Sequence, residues 1–144
     1  MRTNLEVHCM AHPDPETWIF YFPWTTNPLP MNGSHGGWRT HSRKAKAIVQ
    51  QALTLLQLAH VPALGRCTAH VTWWFTTKRT RDEDNLADLE KRLFDAIVRA
   101  GIVADDSPEY MTKPRARIRP VTESDGLLTG AGFTLTITRQ ETQP

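Results

Sequence analysis

The sequence predicts a mixed two-layer α/β fold, in which a mixed sheet of about four strands carries two helices on one face. Three observations predict it: strand-like and helix-like segments alternate along the chain, both helical segments are amphipathic, and two of the strands alternate apolar with polar residues. The chain has 144 residues, 40% of them hydrophobic, which suits one domain with one core. We expect a single domain over residues 1–144, with 1–16 a weakly ordered arm and 139–144 a tail.

The first half of the chain predicts a strand, a long loop and a helix. The aromatic and β-branched run at 18–22 is typical of a strand. Residues 23–40 are rich in Pro, Asn and Gly, and such long loops inside a domain are commonly functional. Apolar residues then recur at helical spacing, so a helix is expected from Thr40 or Ser42 to about Ala59.

The second half predicts a strand, a helix and two further strands. Residues 67–77 form a strand by their alternation, 110–121 form another strand or an extended arm, and 133–138 form the last strand. The helix between them starts near a cap at Asp84 or Asn85. Its expected buried stripe consists of Leu86, Leu89, Leu93, Ile97 and Ala100.

Two adjacent tryptophans fall in the strand at 67–77. Neighbouring side chains in a strand point to opposite faces, so Trp73 and Trp74 cannot share one core. One of them is expected in a subunit interface, on a DNA surface, or under a second covered face of the sheet.

Two pairs of carboxylates bracket the second helix. Asp82 and Asp84 precede it at a spacing that places both on one face of an extended segment, and Asp105 and Asp106 follow it. Carboxylates that converge at one place repel each other unless a cation neutralises them. Mg²⁺, which prefers oxygen ligands, suits such a site.

A structural interpretation of the same residues is open. Asp88, Lys91 and Asp95 have the spacing of ordinary surface ion pairs on a solvated helix face. On that interpretation Asp84 caps the helix and the later acidic pair forms a turn.

The order of these residues resembles a known family. Asp82-x-Asp84-Asn85-Leu86, then Lys91-x-x-Phe94-Asp95-Ala96, then Ala100-Gly101 and Asp105-Asp106-Ser107, is similar to the core motif of the RusA family of Holliday-junction resolvases. The resemblance extends from about residue 18 to the end and implies a RusA-like fold. It implies the catalytic residues Asp82, Asp84, Lys91 and Asp106, with Asp82, Asp84 and Asp106 as ligands of Mg²⁺ or Mn²⁺.

The lysine departs from the family pattern. The family lysine often follows the second aspartate by four residues, where this chain has Asp88, and Lys91 comes three residues later. Four and seven residues are both about whole helical turns, so Lys91 stays on the same face. We interpret the difference as a three-residue insertion near 87–89.

Basic segments flank the acidic motif, although the net charge is only +2 and the pI about 8.7. Basic residues around an acidic centre suit a polyanion whose phosphates bind Lys and Arg. A proline-containing segment that ends in an asparagine also resembles the family. The expected DNA-binding residues are Asn32, Arg39, Arg43, Lys46, Lys78, Arg79, Arg81, Lys113 and Arg115.

The function implied by the resemblance is an Mg²⁺-dependent endodeoxyribonuclease that resolves four-way DNA junctions as a homodimer. The alternatives are a less selective flap or branched-DNA nuclease and a catalytically inactive DNA-binding module. With two lone cysteines and no signal or membrane-spanning segment, a cytoplasmic protein is expected, and a phage or prophage origin fits the resemblance. A metal site at His8, Cys9 and His12 is disfavoured, because no second ligand group at standard spacing accompanies it.

Overall fold

A computed structural model describes residues 9–10, 16–30, 37–77 and 83–141. In chain order its elements are β1 (Cys9–Met10), β2 (Thr17–Phe22), α1 (Trp38–Leu58), β3 (Cys67–Phe75), a 3₁₀ turn (Glu83–Leu86), α2 (Ala87–Arg99), β4 (Met111–Thr112), β5 (Arg117–Pro120), a second 3₁₀ turn (Val121–Ser124) and β6 (Gly132–Arg139).

The strands form one mixed sheet. Its order is β1-β2-β6-β3, with β4 and β5 lying in line along the outer edge of β3. β2 and β3 are each antiparallel to β6 and so run parallel to each other, and β4 and β5 pair with β3 in parallel. The predicted mixed α/β class is confirmed. The sheet is larger than expected, because β1 adds an edge strand and the segment at 110–121 supplies two short strands.

Both helices cover the same face of the sheet. The side chains on that face belong to one buried cluster with both helices: Phe20, Phe22, Ala69, Val71, Trp73, Phe133, Leu135 and Ile137. The helices contribute Ala45, Ile48, Val49, Ala52, Leu55, Leu56, Leu86, Leu89, Leu93 and Ile97. The predicted stripe of the second helix is therefore confirmed, except that Ala100 is only half-buried.

The two tryptophans of β3 lie on opposite faces. The ring of Trp73 stacks on Phe133 with centroids 5.1 Å apart, on the face that the helices cover. Trp74 lies on the other face, which carries most of the threonines of β3 and β6, yet it is only 9% exposed. Its Nε1 donates a hydrogen bond of 2.9 Å to Thr134 Oγ1. Of the alternatives for the second tryptophan, a covered second face fits Trp74.

Two element ends differ from the sequence predictions. The expected cap position at Asp84 or Asn85 is wrong: α2 begins after a 3₁₀ turn, and its N-cap is Leu86, whose side chain makes no capping hydrogen bond. The expected tail also starts too early, because Arg139 ends β6 and the Gln140 amide donates to the Arg66 carbonyl.

In the ranges that the structure describes, no helix is both long enough and apolar enough to span a bilayer.

Candidate functional site

The topology brings the first turns of both helices to one edge of the sheet. Because β2 and β3 are parallel, their carboxyl ends lie at the same edge. The chain leaves β2 towards the start of α1, and it leaves β3 through 78–82 towards α2. Ligand sites of open α/β sheets occur at this edge, outside the carboxyl ends of the strands.

The first acidic pair, Asp82 and Asp84, lies at the boundary of the described residues. Asp82 belongs to 78–82, outside the described residues, and Asp84 lies in the 3₁₀ turn without a described side chain. Among the residues that are described, no three His, Cys, Asp or Glu side chains form a group that could hold a metal ion. The predicted convergence of Asp82, Asp84 and Asp106 therefore stays a prediction.

Asp106 lies beside a predicted DNA-binding lysine. Its side chain is 38% exposed, and its Oδ2 lies 3.9 Å from the Nζ of Lys113. The same Nζ lies 5.9 Å from the centroid of the Phe94 ring on α2. Asp105, its neighbour in the chain, is exposed. A partly exposed carboxylate with one distant cation keeps lone pairs that a hard metal ion can use.

Glu90 is a titratable group that the sequence reasoning missed. It lies one helical turn before Phe94, on the flank of α2 that meets Lys113. Burial raises the pKa of the Glu90 carboxyl to about 7, and the charge of Lys113 acts in the opposite direction. In the sequence, the available signal for this burial was that Glu90 directly follows Leu89, a residue of the apolar stripe. A strongly shifted carboxyl near a candidate site is a candidate functional group.

Lys91 lies on the exposed side of α2, away from the buried stripe. Asp88 does not form the surface ion pair with Lys91 that helical spacing allows. Asp88 Oδ2 instead lies 2.5 Å from Nε2 of His41 on α1, and its Oδ1 lies 3.4 Å from Nε of Arg92. Asp88 is only 16% exposed, so it joins the two helices rather than belonging to a solvated face.

The loop before α1 supports the 3₁₀ turn that contains Asp84. The Nδ2 of Asn27 donates a hydrogen bond of 2.9 Å to the carbonyl of Asn85, and its Oδ1 accepts one of 2.9 Å from the Leu29 amide. Asn27 is buried, its bond with Leu29 is buried with it, and its bond with Asn85 is partly buried. The sequence showed only a Pro- and Asn-rich loop, and nothing in it singled out Asn27.

The predicted DNA-binding residues fall at two described places. Arg39, Arg43 and Lys46 are exposed along the first half of α1, and Lys113 and Arg115 are exposed between β4 and β5. The remaining predicted contacts, Asn32, Lys78, Arg79 and Arg81, lie outside the described residues.

Comparison with known proteins adds no assignment. A scan against protein-family models gives no match for this chain, and a search of curated proteins gives no significant match. What the molecule itself defines is a mixed α/β domain whose second helix separates two acidic pairs.

Proposed function

We propose that this protein is an Mg²⁺-dependent, structure-selective endodeoxyribonuclease of the RusA kind, which resolves four-way DNA junctions by paired cleavage. The observation that carries the proposal is the ordered motif Asp82-x-Asp84-Asn85 to Asp105-Asp106 around one amphipathic helix. The helix is firmly held, since Leu86, Leu89 and the rest of its apolar stripe are buried. A rigid element between the two acidic pairs is what a preorganised site requires.

The donor set fits a hard divalent cation. Asp82, Asp84 and Asp106 offer carboxylate oxygens, and Asp106 remains partly exposed. A metal ion bound there would lower the pKa of an attacking water and offset the charge that grows on the phosphate. Lys113, at 3.9 Å from Asp106, holds that carboxylate by charge attraction. Lys91 supplies an exposed ammonium for a phosphate oxygen.

The basic residues account for DNA binding in this proposal. Exposed arginines and lysines on the first half of α1 and between β4 and β5 flank the motif and suit phosphate contacts. A homodimer would present two sites related by a two-fold axis, which matches the symmetry of a four-way junction.

The test is cleavage of a labelled synthetic four-way junction in Mg²⁺ by four proteins: wild type, Asp82→Asn, Asp106→Asn and Asp105→Asn. We expect paired nicks from wild type and Asp105→Asn, and rates lower by about 100-fold or more for the other two, as when one charge-stabilising group is lost. Asp105→Asn is the matched control because Asp105 is exposed and adjacent in sequence. Equal cleavage by all four proteins would refute the assignment.

A less selective flap nuclease would cleave flap and junction substrates at similar rates, so both are included beside linear duplex. The inactive DNA-binding module is the second candidate, because Asp88 occupies the usual place of the family lysine and is tied to His41 and Arg92. Junction binding without cleavage in either Mg²⁺ or Mn²⁺ would favour it.

A further inference from the structure

An open cleft lies between the first half of α1 and the flank of α2 that faces it. Its volume is about 330 Å³. The lining residues that matter here are Trp38, His41, Lys46, Arg92, Asp95 and Arg99. It lies apart from the flank of α2 that carries Glu90 and Phe94 and meets Lys113. The cleft is thus a second surface on the same helix.

The cleft is basic. Lys46 and Arg99 are exposed, and within the described ranges neither forms an ion pair. Arg92 lies near Asp88, whose charge is already shared with His41. Among the described lining residues Asp95 alone is acidic, so this part of the cleft carries more positive than negative charge. Such a concentration of cations attracts an anion, and a polyanion above all.

An unusual aromatic residue stands in the same lining. Trp38 is 75% exposed, the most exposed large hydrophobic side chain in the part of the chain that the structure describes. Arg39 lies over its ring, with Cζ 5.7 Å from the centroid. An exposed indole beside cations is the combination that binds unpaired bases, because stacking needs a free ring face and the cations hold the neighbouring phosphates.

We propose that this cleft binds single-stranded nucleic acid, with one base stacked on Trp38 and the adjoining phosphates held by Lys46 and Arg99. The inference goes beyond the proposed function and does not depend on it, since binding here requires neither a metal ion nor cleavage. The position agrees with a strand that continues towards the acidic motif. Asp88, which bonds to the cleft residue His41, follows Asp84 by one helical turn.

A single strand is favoured over duplex by the exposed indole. Paired bases in a duplex are stacked on each other and present no free face to an aromatic side chain, whereas unpaired bases do. An acidic peptide would use the cations alone and would leave Trp38 without a role.

The test measures binding of a labelled 12-nucleotide oligo-dT by fluorescence anisotropy in EDTA, beside a blunt duplex of the same length. Trp38→Leu keeps an apolar side chain but removes the ring, and we expect it to weaken oligo-dT binding by about 5- to 100-fold. The double variant Lys46→Gln/Arg99→Gln should lower the slope of log affinity against log salt by about 1.4, for two phosphate contacts on a single strand.

Arg119→Gln is the control for loss of one positive charge and is compared with the single variants Lys46→Gln and Arg99→Gln, because Arg119 lies in β5 beside Trp74, on the face of the sheet opposite the helices. We expect it to bind oligo-dT like wild type. Tighter binding of duplex than of oligo-dT, unchanged binding by Trp38→Leu, or an equal loss in Arg119→Gln would each overturn the proposal. So would equal competition by an oligoglutamate of the same charge. Because EDTA prevents metal-dependent cleavage, a failed junction assay leaves this result intact.

Discussion

The carboxylates on the two flanks of α2 differ in how exposed they are and in how closely cations already contact them. On one flank, Asp106 is 38% exposed and its one described cation, Lys113, is 3.9 Å away. On the other flank, Asp88 is 16% exposed and contacts both His41 and Arg92. The first carboxylate is open to a cation, while the second already contacts two partners. Because Asp88 is engaged with His41 and Arg92, the remaining cations of that flank can bind an anion.

The difference shows how one helix can serve two kinds of ligand. Between the flanks, the buried stripe fixes α2 against the sheet and against α1, so each flank is presented at a set orientation. Changes to the stripe should disturb both flanks together, and changes to one flank should leave the other intact.

The largest effect on stability is expected from changes in the buried stripe of α2, which both flanks share. Leu93 is fully buried, so Leu93→Ala should lower the free energy of unfolding by about 2–5 kcal/mol through lost burial and a residual cavity. Urea denaturation followed by circular dichroism measures it. Leu58→Ala is the matched control, because Leu58 is 43% exposed and its truncation should cost far less. Equal losses in the two variants would mean that the stripe does not hold the helix.

The next largest effect on stability should differ between the two flanks of α2. Asp88→Asn removes a largely buried charge from two partners and should cost about 1–3 kcal/mol of unfolding free energy. Asp106→Asn breaks a long, half-exposed ion pair and should cost less than about 1 kcal/mol. Urea midpoints at pH 7 compare the two. A double-mutant cycle of Asp88→Asn with His41→Gln should give a coupling above about 0.5 kcal/mol. A larger loss in Asp106→Asn would reverse the comparison.

Addition of Mg²⁺ should stabilise the folded protein through the Asp106 flank of α2 alone. If the proposed site binds Mg²⁺, a tenfold excess over its dissociation constant stabilises the folded state by about 1.4 kcal/mol. Thermal unfolding in Mg²⁺ and in EDTA would show this as a shift of a few degrees in Tm. The shift should persist in Asp88→Asn and Asp105→Asn and disappear in Asp106→Asn. A shift that survives in Asp106→Asn would place the metal elsewhere.

The sequence predicted the shared stripe far better than the flanks. Helical periodicity requires only that apolar residues recur on one side, and Leu86, Leu89, Leu93 and Ile97 are all fully or almost fully buried. The position of Asp88 depends on which residue α1 presents to it. His41 comes from a distant part of the chain, so spacing along α2 suggested the wrong partner, Lys91.

The features of the candidate site likewise divide into those that local spacing predicts and those that depend on the tertiary fold. Residue spacing predicted the order of the carboxylates and the helix, α2, that separates the two acidic pairs. The contact between Asp106 and Lys113 depends on how the loop after α2 returns to the edge of β3, which no local pattern encodes. The bond from Asn27 to the Asn85 carbonyl likewise joins residues 58 positions apart.

The smallest effect on stability is expected from Glu90, which lies on the same flank of α2 as Asp106. The pKa of Glu90, about 7, lies above its ordinary value of 4.5 because the group is buried, so the folded protein binds this proton more tightly than the unfolded chain does. That stabilisation is fully present below about pH 4.5 and is lost as pH rises to about 7. Since the carboxyl is still partly exposed, solvent screening reduces the effect to on the order of 1 kcal/mol.

Urea midpoints between pH 4.5 and 8 should therefore fall more steeply in wild type than in Glu90→Gln, which cannot ionise. Glu109→Gln, at an exposed position, should keep the wild-type slope. Lys113→Gln removes the charge that opposes the shift, so the fall should move to higher pH. Identical profiles for wild type and Glu90→Gln would show that Glu90 titrates normally. The flank would then hold Asp106 and Lys113 without a protonated neighbour at neutral pH.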